Sequence, residues 1–196
     1  MILEQLIHLD KSITLFINGL NSPLTDQLWI MFSDKHVWYP AYAAVAFLFI
    51  WRFGWKKGLA AIVACVLALV LCDQISTFIK YGVERLRPCF DNDMLTGGLH
   101  HPVRRGYGFF GFFSSHASNC FGFVACALTM AKMDLKRTPR AVSIAAWTWA
   151  ALVSVSRVMV GKHFFGDIIV GTFYGLLCGY AVGYLMLSLI KRYSRV

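Results

Sequence analysis

Residues 58–72 read GLAAIVACVLALVLC, a run without a single charge, and the apolar helical pattern continues through DQISTFIK to Lys80. A helix needs about 20 mainly apolar residues to cross a bilayer, and this stretch reaches that length once its polar end is counted. Four more runs free of Asp, Glu, Lys and Arg follow the same logic: Val37 to Trp51, Gly106 to Ala131, Ala141 to Ser156 and Ile168 to Ile190. The chain therefore reads as all-α, a polytopic membrane helix bundle with five full spans. Composition agrees. Of 196 residues, 58% are hydrophobic and only 15% charged, against roughly 25% charged in an ordinary soluble domain. Mean hydropathy is +0.58. The length suits one domain.

The first 35 residues read differently. Ile2 to Leu20 mixes apolar and polar residues at helical spacing, Asn21-Ser22-Pro23 breaks the pattern, and Leu24 to Ser33 is short. This predicts an N-terminal amphipathic, interfacial helix and a partial segment over 1–35, with a sixth span as the alternative, ahead of a transmembrane bundle over 36–196. The N-terminus lacks the basic region and cleavage site of a signal peptide. Five cysteines lie within apolar stretches and only Cys89 in an evident loop, so they read as buried small hydrophobes and not as a disulfide framework.

Net charge is +9, a balance that suits nucleic acid, anionic lipid or a phosphorylated substrate. Nucleic-acid binders carry their cations on a water-facing surface; here they sit at the ends of apolar runs, which excludes that class. The turns holding Arg52, Lys56 and Lys57, then Lys132, Lys136, Arg137 and Arg140, and the tail with Lys191, Arg192 and Arg195, fall on one side of an up-and-down bundle. The positive-inside rule makes that side, and the C-terminus, cytoplasmic. The opposite side is basic too, which runs against the rule and calls for a function there.

Helix rise brings the functional candidates to that opposite face. At about 1.5 Å per residue, Lys80 lies one membrane thickness from Gly58, Arg157 from Arg140, and Asp167 from Lys191. His116 opens the third span. Lys80, Arg87, His116, Arg157, His163 and Asp167 can then converge. Lys80 and Arg87 are seven apart and share a face if the helix persists. An ammonium and two guanidinium groups match a phosphoryl group in transfer. Ser114, Ser115 and the helix start beside them offer hydroxyls and free N–H groups to an anion. His163 and Asp167 stand at i and i+4, so the carboxylate can hold one ring nitrogen while the other attacks. A second histidine is available as the acid.

The ordered set is Lys80-x6-Arg87-Pro88, Ser114-Ser115-His116 and Ser156-Arg157-x5-His163-x3-Asp167. It resembles the type 2 phosphatidic acid phosphatase (PAP2) superfamily, whose members include bacterial lipid phosphatases. The first and third motifs match without departure. The middle one usually reads Pro-Ser-Gly-His, and here Phe113 replaces the proline and Ser115 the glycine. The resemblance implies a membrane lipid phosphatase of the bacterial plasma (inner) membrane, with its site at the outer, periplasmic face. His163 would be the nucleophile that forms a phospho-histidine, Asp167 its orienting partner and His116 the acid. Lys80, Arg87, Ser114, Ser115 and Arg157 would hold the phosphate. No metal and no cofactor are implied. The substrate would be a lipid phosphomonoester or diphosphate, with undecaprenyl diphosphate and lipid A-type phosphates ranked equal. A non-catalytic carrier of anionic lipid would not need the histidines, and a vanadium haloperoxidase would not need the apolar spans.

Three features stay outside the motifs. Asp73, inside the second span, reads equally as functional or as paired with a neighbouring helix. His100-His101 with Arg104-Arg105 in the outer loop suggests headgroup recognition. Gly171, Gly175, Gly179 and Gly183 make a small-residue stripe that serves either packing within the bundle or a homodimer.

Overall fold

Gly54 turns the first apolar part of the chain back on itself. The computed structural model of the protein describes residues 1–103, 108–133 and 138–193, and its longest helix, α3, runs Tyr39–Val83 over 45 residues. Straight, such a helix would be about 68 Å long, twice the hydrocarbon thickness of a bilayer. At Gly54 φ is +76°, inside the left-handed region that glycine enters without steric penalty. The break separates limbs 39–53 and 55–83, which fold against one another. A Cβ on Gly58 would stand 2.7 Å from the Cα of Ile50. Tyr42, Val45 and Phe49 line one cavity with Ile62, Cys65 and Leu69.

Among the described residues, three helical stretches are long and apolar enough to cross a membrane: Lys35–Val83, which holds both limbs, Arg140–Met159 and Phe165–Arg192. The last two correspond to α6, Arg140–Met159, and α7, Phe165–Tyr193. Between them in space lies α5, Ser115–Met130. The sequence reading starts this span at Gly106, but the helix begins only at Ser115. A charge-free run says nothing of backbone. Here residues 108–114 carry no helix, and Ser114 caps the helix that follows, its hydroxyl accepting from the Ala117 N–H at 3.4 Å.

The glycine stripe explains how α7 meets α5. Added Cβ atoms on Gly171, Gly175 and Gly179 would lie 2.6, 2.4 and 2.2 Å from the carbonyl oxygens of Ser114, Ser118 and Gly122. Gly183 faces Thr129. Of the two uses open to the stripe, the structure shows packing within the bundle. All six cysteines are free and buried, Cys89 included.

Two helices precede the bundle: α1, Ile2–Asn18, and α2, Pro23–Ser33, the second capped by Ser22. A short α4, Asn92–Thr96, sits in the loop between α3 and α5. The amphipathicity of α1 is inverted relative to a water-bounded helix. Leu3, Leu6, Leu9 and Phe16 are exposed, whereas Thr14 and Asn18 are buried and Asp10 nearly so. Its polar stripe faces the protein. Lys11 ties the helix to α4 through Asp91 at 2.8 Å and Asp93 at 2.7 Å.

Candidate active site

The cations of the first motif are set by a helix end and a strand-like turn. Lys80 occupies the last turn of α3, which ends at Glu84 in the left-handed region with φ 51°. The expectation that Lys80 and Arg87 share one helix face is therefore corrected: the helix stops between them. Residues 85–87 instead pair antiparallel with 109–111, Arg87 N–H donating to Phe109 O at 2.9 Å and Gly111 N–H to Arg85 O at 2.8 Å. This pairing aims Arg87, whose Nε donates to Phe110 O at 3.0 Å. Gly108 leaves room for the guanidinium, since a Cβ there would stand 2.9 Å from Nη2.

The second motif meets the first through serine. The Lys80 ammonium donates to Ser115 Oγ, and Ser76 and Ser115 share a hydroxyl hydrogen bond of 2.8 Å. Ser115, standing where the family has glycine, thus adds a hydroxyl that holds the lysine. Ser114 is fully buried; besides capping α5, its N–H donates to Asp167 O at 3.1 Å. That bond joins the second motif to the third.

His163 and Asp167 form the centre. Their closest atoms, Nδ1 and Oδ2, are 3.3 Å apart, with side-chain exposures of 2% and 0%. The same carboxylate oxygen accepts from the Phe164 N–H at 3.1 Å. Burial first, then the charges of Arg157, Arg87 and Lys80, hold the His163 imidazole well below its ordinary pKa. Desolvation and neighbouring positive charge both work against a proton on this ring. Gly111 lies against this pair, 3.2 Å from Asp167 Oδ2 and 3.6 Å from His163 Nδ1 measured from an added Cβ. A side chain there would crowd the dyad.

Arg157 and His116 complete the set. Arg157 is 9% exposed; its Nη1 donates to Ser33 O at 3.3 Å and also to Ser33 Oγ. Its Nε is buried without a hydrogen-bond partner among the described residues. The charges that act on His116 are those of Arg157, His163, Lys80 and Arg87. All eight residues singled out in the sequence come together at one end of the bundle. Asp73 is an electrostatic neighbour of Lys80 on its own helix. His100 pairs with Asp26 of α2 at 2.9 Å, and Arg104 and Arg105 lie outside the described residues, as do Lys136, Arg137 and Arg195.

Other residues of the site were not singled out in the sequence. Arg85 bonds Asp167 Oδ1 at 2.8 Å and Asp10 Oδ2 at 2.6 Å. Asn18 donates to the carbonyls of His100, Val158 and Met159 at 2.8, 3.0 and 3.1 Å, steadying the turn that leads to His163. Thr14 Oγ1 accepts from Phe165 N–H at 3.0 Å. The spacing of Asp10, Thr14 and Asn18 at i, i+4 and i+8 was a visible signal of one polar helix face. Among the described residues, no three His, Cys, Asp or Glu side chains gather in a way that could hold a metal ion.

Comparison with known proteins follows the same residues. The sequence model of the PAP2 superfamily matches residues 58–191. The lipid A 4'-phosphatase of Bacteroides thetaiotaomicron is 30% identical over 191 residues, covering 97% of this chain and 82% of that protein. The lipid A 4'-phosphatase of Porphyromonas gingivalis is 29% identical over 190 residues, covering 92% and 74%. A Bacillus subtilis transmembrane PAP2-type phosphatidylglycerolphosphate phosphatase superposes with a TM-score of 0.72 at 20% identity, over 92% of this chain and 86% of its own. Aquifex aeolicus LpxE does so with a TM-score of 0.63 at 24% identity, over 87% and 92%.

Proposed function

We propose that this chain, which belongs to the PAP2 superfamily, removes the phosphate of a lipid A-type glycolipid through a phospho-histidine. It is a phosphoric-ester hydrolase and an integral membrane protein. The observation that carries the mechanism is the buried His163 held by Asp167 at the end of the bundle where Lys80, Arg87 and Arg157 gather. His163 Nε2 attacks phosphorus and the P–O bond to the lipid breaks. The leaving oxygen takes a proton from His116. Water then attacks the phospho-histidine, returns a proton to His116 and frees inorganic phosphate with His163. The three cations and the N–H groups at the start of α5 stabilise the charge on the equatorial oxygens. The unpartnered Nε of Arg157 is a donor that a phosphate oxygen would satisfy.

The lipid A-type substrate is supported by two relatives of that activity, each aligned over most of this chain. Undecaprenyl diphosphate is the second reading, since a terminal phosphate on a diphosphate presents the same dianion. The fixed cations meet the electrostatic demand that a metal meets in other phosphoryl-transfer sites, so the reaction is proposed to be metal-independent. Phosphate release from a panel of lipid A, undecaprenyl diphosphate, phosphatidylglycerol phosphate and phosphatidate, in excess EDTA, tests both points. Lipid A is expected to be hydrolysed fastest, with no loss to EDTA. Faster release from another lipid overturns the substrate, and activity recovered only on adding Mg²⁺ overturns the electrostatic role of the cations.

Five spans are proposed: the two limbs of α3, then α5, α6 and α7, with α1 and α2 at the site's end of the bundle. The Lys and Arg bias of the far end supports a site that faces outside and a cytoplasmic C-terminus. Because the native cysteines are buried, introduced ones report topology. In intact cells, Thr96→Cys is expected to react with an impermeant thiol reagent, and Arg192→Cys only after lysis. The reverse pattern puts the site in the cytoplasm and eliminates an outer-leaflet substrate.

A further inference from the structure

Helix α1 lies wholly outside the residues that the family sequence model matches, 58–191, yet one of its side chains reaches the nucleophile's partner in two steps. Asp10 Oδ2 accepts from Arg85 Nη2 at 2.6 Å, and Arg85 Nη1 donates to Asp167 Oδ1 at 2.8 Å. Asp167 Oδ2 then faces His163 Nδ1. The second oxygen of Asp10 accepts from the Gly166 N–H at 2.7 Å, one residue before Asp167. The Arg85 guanidinium is stacked on the Phe164 ring, 4.0 Å from its centroid. Every freedom of the Arg85 fork is thereby removed: one arm to each carboxylate, one face to an aromatic ring.

We propose that Asp10 and Arg85 are positioning residues of this enzyme, acting through Asp167 to fix the orientation of the His163 imidazole. The inference rests on the phosphatase reading above. Asp167 is fully buried, and a buried carboxylate without a fixed cationic partner turns toward whatever donor it finds. Arg85 occupies Oδ1 and so leaves Oδ2 for the histidine. Asp10 keeps Arg85 from swinging into the neighbouring phosphate site, where Arg87 lies two residues on. An arginine so placed would bind substrate; pinned by Asp10, it serves the nucleophile. The apolar outer face of α1 fits the same role, since a helix bounded by lipid on one side holds its polar stripe firmly on the other.

A double-mutant cycle on the full-length protein in detergent or nanodiscs separates positioning from mere structure. Asp10→Asn keeps one acceptor, for the Gly166 N–H, and puts an NH₂ donor in place of the charged oxygen that accepts from Arg85. It is expected to lower kcat about tenfold to a hundredfold, with KM changed by less than about twofold. Arg85→Gln is expected to behave in the same way. In an Asp167→Asn background each should add less than about twofold, because the group through which they act is already lost. Equal losses with and without Asp167 would mean that the residues act on the fold and not on the dyad. A rise in KM at unchanged kcat would place Arg85 on the substrate phosphate. Either result overturns the proposal, and if Arg85→Gln does not fold, Asp10→Asn alone decides. Wild-type protein that releases no phosphate from any lipid of the panel removes the phosphatase reading, and this inference with it. An additive cycle in active protein removes this inference only.

Discussion

Replacing His163 with alanine should lower phosphate release by about 10⁴-fold or more while phosphate binding survives. The imidazole is the only proposed group that makes a covalent bond to phosphorus, whereas Lys80, Arg87 and Arg157 carry the charge that attracts the anion. Those cations stand on three different elements, at the end of α3, in the extended turn after it and at the end of α6. None depends on the histidine ring for its place. Arg157 is held by Ser33, Lys80 by Ser115 and Arg87 by Phe110. Turnover, affinity for inorganic phosphate and covalent labelling should then part company. Wild-type protein mixed with labelled lipid phosphate and quenched in alkali is expected to retain label, since phospho-histidine survives base. His163→Ala should retain none, yet bind phosphate within about threefold of wild type. Turnover within about tenfold of wild type by the purified variant would remove the phospho-histidine. Unchanged turnover loss together with lost phosphate binding would make His163 a ligand and not a nucleophile.

The parts of this site that were legible in the sequence are those whose chemistry is tied to spacing along one helix. His163 and Asp167 at i and i+4 form their contact within a single turn at the start of α7, and Ser114 caps the helix that its position predicts. Charge-free runs located the helices to within a few residues wherever the backbone was helical. They failed at 108–114, which carries no helix and of which 109–111 pair with 85–87. Hydropathy measures what a residue buries, not the backbone that carries it. The same gap in information hid how Lys80 and Arg87 meet: seven residues suggest two helical turns, but the helix ends at Val83. Arg85 lay in plain view inside the first motif. Its importance comes from Asp10, 75 residues away, and no local pattern encodes that distance. The polar stripe of α1 was visible as a period, but which side of the helix faced protein was not, because an interfacial helix has lipid on one side and either water or protein on the other.

His116→Ala is the variant whose effect should depend most on the substrate. Breaking the P–O bond leaves an oxyanion on the departing group. A sugar or glycerol oxygen is a poor leaving group and needs a proton as the bond breaks; an aryl oxygen such as nitrophenolate departs without one. A general acid is worth about 10²–10⁴-fold where the proton is needed. His116, at the start of α5, is an electrostatic neighbour of His163 and the three cations, and its proposed role is to protonate the leaving oxygen. On a lipid A-type phosphate the variant is expected to lose about a thousandfold in kcat. On an aryl phosphate the loss should stay within about tenfold, because the step that His116 assists no longer limits the rate. The contrast also sorts the two substrate readings. A diphosphate departs as a lipid monophosphate, which is itself a stable anion, and so its hydrolysis should be far less sensitive to His116 than that of a sugar phosphate. The experiment compares kcat of wild type and His116→Ala on all three substrates. Equal losses on alkyl, aryl and diphosphate substrates would mean that His116 binds phosphate or supports the fold, and its assignment as the acid would be wrong. A large loss confined to the alkyl ester ties the histidine to the leaving oxygen.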